Sequence, residues 1–73
     1  MDKRLDLIFT APQTSLEKKA LLEKGFEIVG FDDVLNVIHY RSKAEIVKAQ
    51  EFVYDLNEEG FRPIRAYTSV KHA

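Results

Sequence analysis

The sequence predicts an α+β domain of order βαββαβ: a two-layer sandwich in which a four-stranded antiparallel sheet carries both helices on one face. Three observations carry this. Ser42 to Gly60 has a helical apolar period, four other segments have the composition or alternation of strands, and the two halves of the chain repeat one plan.

Lys3 to Thr10 sets Leu5, Leu7 and Phe9 against Asp6, Ile8 and Thr10, the alternation of a half-buried strand. Ala11-Pro12-Gln13 breaks it. Thr14 then stands three residues before Glu17, the spacing of a capping box in which each side chain satisfies a backbone N–H that the helix leaves free. The short helix carries Leu16, Ala20, Leu21 and Leu22 and closes at Gly25. Phe26 to Phe31 reads as the second strand, Asp32-Asp33 as a turn, and Val34 to Tyr40 as the third strand, rich in β-branched and aromatic residues. Ser42 and Glu45 predict a second capping box. Ile46, Ala49, Val53 and Leu56 then share one helix face, which Val47, Phe52 and Tyr54 widen until only a sheet is broad enough to cover it. Gly60 supplies the left-handed residue that ends this helix. Phe61 to Val70 is the fourth strand; Pro63 near its start suits an edge, because proline cannot donate to a ladder. Lys71-His72-Ala73 is a tail.

The halves align as LDLIF, T-S-L-E, LLEKGFEIVG against LNVIH, S-K-A-E, LNEEGFRPIR. Leu5 answers Leu35, Leu7 answers Val37, Ile8 answers Ile38 and Phe9 answers His39. Both helices close on Gly-Phe, at Gly25-Phe26 and Gly60-Phe61. Two strand–helix–strand units interleaved about a pseudo-twofold give the predicted sheet. In layout the whole chain, 1–73, resembles a single ferredoxin-like domain. That fold hosts many functions, so the resemblance implies architecture and no activity. A parallel Rossmann-like sheet is disfavoured because Asp32-Asp33 is too short for a crossover.

Composition narrows the function classes. Seventy-three residues allow one small domain, and 45% hydrophobic with 32% charged residues is the balance of a folded soluble chain. A net charge of −1 argues against a polybasic nucleic-acid or membrane binder. The absence of cysteine excludes disulfides and thiolate metal sites and favours a cytoplasmic setting. The N-terminal apolar run is too short for a signal peptide or a membrane span. Serine-nucleophile, P-loop and dinucleotide signatures are missing, no carboxylate pair stands at ligand spacing, and no metal or cofactor is expected. A chain this small with no catalytic constellation fits a non-enzymatic binding or regulatory module.

Two surfaces are candidates. Leu5, Leu7, Phe9, Leu35, Val37, Ile64 and Ala66 are expected beneath the helices. The helix-free face is then expected to present Ile8, Ile38, Tyr40, Arg65 and Tyr67, with Asp6, Thr10 and Asn36; strand two leaves open whether Ile28 or Val29 and Phe31 point inward. Apolar residues in the middle of an open sheet predict a protein interface, most simply a homodimer. The RNA-recognition motif shares this strand order and stacks bases on such a face. Tyr40, Tyr67, Arg41, Arg62 and Arg65 fit that use, but Ile8 and Ile38 occupy the central positions where stacking rings belong. The second surface is one end of the sheet. With strands one and three taken as parallel neighbours, Thr10, Gln13, Thr14, Ser15, His39, Arg41 and Ser42 gather beside both helix N-termini and form a candidate phosphate or small-ligand site. Acylphosphatase-like enzymes share this layout; TAPQTS lacks their glycine-rich cradle. His39, aligned with Phe9, is expected on the helix side as a hydrogen-bonded histidine rather than a base.

Overall fold

Both helices end where the chain needs a left-handed residue, and both times glycine supplies it: Gly25 at φ 84° and Gly60 at φ 91°. The computed structural model describes residues 2–71. Its elements are β1 (Asp2–Thr10), α1 (Ser15–Glu23), β2 (Phe26–Asp32), β3 (Val37–Ser42), α2 (Ile46–Glu58) and β4 (Arg65–Lys71). The strands form one sheet in the order β2-β3-β1-β4, and every neighbouring pair is antiparallel. This two-layer α+β arrangement is the predicted one and has the layout of a ferredoxin-like domain. No helix among the described residues is long and apolar enough to cross a membrane.

The core forms where the alternation of β1 meets the apolar helix stripes. Leu5, Leu7 and Phe9 of β1 pack with Phe26, Tyr40, Leu21, Ala49 and Leu56, all buried. Burying a large apolar side chain stabilises by ~1.5–3 kcal/mol, so these residues dominate the fold. The Phe9 and Tyr40 rings meet edge to face at 5.7 Å. Thr14 caps α1 as expected, its hydroxyl accepting the Glu17 N–H at 3.1 Å. The Glu17 carboxylate does not return to the cap; it accepts from the Gln13 amide, whose carbonyl accepts from the Tyr40 hydroxyl. Burial, and then the nearby Glu17 charge, hold the Tyr40 phenol above its usual range.

Four local expectations are corrected. The third strand begins at Val37, not Val34, because residues 33–36 form the turn. Asp32 Oδ1 accepts the N–H groups of Val34 and Leu35, Asn36 is left-handed at φ 58°, and its side chain donates to the Ala11 carbonyl at 2.7 Å. Leu35 consequently lies outside the core; Val37, Ile64 and Ala66, also expected beneath the helices, are not part of it either. Ser42 does not cap α2. It is buried at the end of β3, accepting the Leu5 N–H at 3.0 Å and donating to the Ala44 carbonyl, and Glu45 holds the cap position without a side-chain bond. The fourth strand starts at Arg65, with Pro63 before it; of the predicted tail, Lys71 ends β4, whereas His72 and Ala73 lie outside the described residues.

The fourth correction concerns direction. β1 and β3 are adjacent but antiparallel. The α1 crossover leaves β2 parallel to β1, and the short turn after β2 reverses β3. The N-termini of the two helices therefore lie at opposite ends of the sheet.

Candidate functional site on the helix-free face

Register decides which side chains reach this face. Leu7 pairs with Tyr40 and Phe9 with Ile38, so Tyr40 and Ile38 lie on the helix side. The intervening rows belong to the open face. Glu27, Arg41, Asp6 and Tyr67 stand side by side across the four strands, followed by Gly30, His39, Ile8 and Arg65. Asp32, Val37 and Thr10 form the next row. A bulge at Val29 in β2 lets Ile28 and Phe31 both fall on the helix side of the ladder.

The sequence-predicted residues therefore divide. Ile8, Arg65 and Tyr67 are on the open face as expected. Ile38 packs against the core, and Tyr40 is buried within it. His39 is the reverse correction: it stands on the helix-free face. The predicted end site is not assembled. Thr10, Gln13, Thr14 and Ser15 are at the α1 end, His39 and Arg41 are on the open face, and Ser42 is buried toward the α2 end.

The polar half of the open face centres on Asp6. Its carboxylate has no solvent exposure, although only one layer of side chains covers it. Arg41 grips it in two-point fashion, Nε to Oδ1 at 3.0 Å and Nη2 to Oδ2 at 2.9 Å. The Ser69 hydroxyl donates to Oδ1, and His39 Nε2 lies 2.6 Å from Oδ2. Each carboxylate oxygen thus holds two donors, the full capacity of the group. Burial alone would raise the Asp6 pKa; hydrogen bonds from Arg41, Ser69 and His39 outweigh it and hold the carboxyl below its usual range. The same bond to Asp6 raises the Arg41 guanidinium. Because the carboxylate only accepts, Nε2 of His39 is the donor in this contact. The Tyr67 hydroxyl lies 3.2 Å from the same nitrogen, and the Arg65 guanidinium stacks over the Tyr67 ring at 5.0 Å.

The other half is apolar. Ile8, Val37, Leu35, Ile64 and Phe31 line a shallow depression of about 460 Å³, with Gly30, Asp32, His39 and Arg65 at its margin. Leu35 is 70% exposed, Ile64 62% and Phe31 60%. Phe31, on the edge strand, also lines a depression on the helix side with Ile28 and Ile38.

Chemically, Asp6 has no lone pair left for base work or for a metal. Among the described residues no group of three or more potential ligands converges. Sequence reasoning had assigned Asp6 to this face without a role and had missed Ser69. The available signal was spacing: His39 and Arg41, and Arg65, Tyr67 and Ser69, recur every second residue, so each set shares one face of its strand.

No protein-family model, curated protein or solved structure matches the chain.

Proposed function

We propose that the chain is a non-enzymatic binding module whose helix-free sheet face docks a protein surface. One observation carries this: Leu35 and Ile64, each more than 60% exposed, share a depression with Ile8 and Val37 on a face the helices leave uncovered, with Phe31 of the edge strand at its rim. Contiguous apolar side chains in water are unfavourable at ~25 cal/mol per Å², and a partner relieves that cost. The polar half suits the same use. Asp6 already holds four donors, so covering the face orphans no buried acceptor there.

A photo-crosslinking residue placed at Leu35 tests this in cells, with the same residue at Glu51, on the exposed side of α2, as control. The expected result is a protein adduct from position 35 that position 51 does not give. No adduct, or equal adducts from both positions, would refute the reading.

A further inference from the structure

We infer that the partner fitting this face is a second copy of the chain, packed sheet against sheet about a two-fold axis that runs along the strands between β1 and β3. The inference rests on the reading of the face as a protein interface and specifies what covers it.

The face is antisymmetric in charge. Its β2 side carries the carboxylates of Glu27 and Asp32, and its β4 side carries the Arg65 guanidinium. Arg65 makes no ion pair among the described residues; its head lies over Tyr67 instead. A two-fold axis along the strands exchanges β2 with β4 and β3 with β1 while keeping each row level. Arg65 of one copy then arrives over the Gly30–Asp32 stretch of the other, and Tyr67 arrives over Glu27. Symmetry makes each contact twice, as an isologous interface requires. A two-fold axis across the strands would instead keep β4 over β4 and bring Arg65 toward its own equivalent, away from both acids.

The apolar residues agree with the same axis. Ile8 and Val37 belong to the two central strands, closest to it, with Leu35 and Ile64 flanking them at one end. With a net charge of −1, two copies repel each other little at long range.

The test is a charge exchange read by light scattering over a wide concentration range. The wild type is expected to dimerise. Arg65→Glu places like charges opposite Asp32 at both contacts, and Asp32→Lys does so opposite Arg65. Each variant alone should weaken association at least ~10-fold, a difference of ~1.4 kcal/mol. An equimolar mixture of the two should recover the dimer, because the heterodimer has one native and one exchanged pair. Asp32 also holds its turn through Oδ1, so circular dichroism accompanies each variant, and Asp32→Asn, which keeps that acceptor and removes the charge, replaces Asp32→Lys if that chain unfolds. A wild type of single-chain mass at every concentration overturns the inference, as does an Arg65→Glu chain that dimerises like the wild type, or a mixture that stays monomeric. An adduct from position 35 with a mass other than two chains refutes the second copy and leaves the interface standing; no adduct refutes the interface itself.

Discussion

Replacing Asp6 with asparagine keeps the shape of the side chain and removes its charge. The amide also turns one acceptor into a donor, aimed at groups that are themselves donors: Arg41, Ser69 and His39. Breaking a buried ion pair costs ~3–5 kcal/mol when the remaining charge stays buried. Here the survivors can partly escape, since the Arg41 side chain is 34% exposed and that of His39 26%. The working figure is therefore ~3 kcal/mol, the low end of that range. A domain of this length has ~4–11 kcal/mol in total, so the melting temperature should fall by more than ~10 °C. Urea and thermal unfolding followed by circular dichroism measure both. The pH dependence separates charge from shape. The folded pKa of Asp6 is lowered, so its stabilisation is fully present above the ordinary carboxyl value of ~3.9 and is lost as pH falls through the folded value. The gap between wild type and Asp6→Asn should hold at neutral pH and shrink as the solution is acidified below ~4. A loss under ~1 kcal/mol at pH 7, or a gap that stays constant down to strong acid, would show that the network contributes little beyond packing.

Ser42→Ala removes the acceptor of the buried Leu5 N–H and should cost ~1–3 kcal/mol, more than the ~1 kcal/mol expected for the exposed cap Thr14→Ala; urea midpoints compare them directly. Tyr40→Phe keeps the edge contact with Phe9 and loses only the bond to Gln13, for ~1 kcal/mol, whereas Tyr40→Ala empties a core site and should cost ~3–5 kcal/mol by the same assay. Leu35→Asp should leave monomer stability within ~0.5 kcal/mol at low concentration, where association does not contribute.

The sequence by itself determined the number, type and order of the elements. The periods of β1 and α2 are long enough to be unambiguous, and Gly25 and Gly60 end helices because nothing else enters φ > 0 as cheaply. It also determined the alternation of β1, with Leu5, Leu7 and Phe9 inward and Asp6 and Ile8 outward, because there only one phase is apolar throughout. The third strand was different. Val37 to Ser42 has bulky residues in both phases, so either face could have been buried. A slip of one residue exchanges every side chain between faces. The internal match chose the phase that pairs His39 with Phe9; the tertiary structure chose the other. It did so through contacts no local pattern displays: Asp32 closing the turn, Asn36 reaching Ala11, and Leu7 set opposite Tyr40. Those pairings bring Asp6, His39, Arg41 and Ser69 into one network, although they lie 33 to 63 residues from Asp6 along the chain. Local sequence fixes which side chains can share a face of their own strand. Which strand they meet, and in what register, is a non-local balance of turn geometry and burial, and only the folded sheet resolves it.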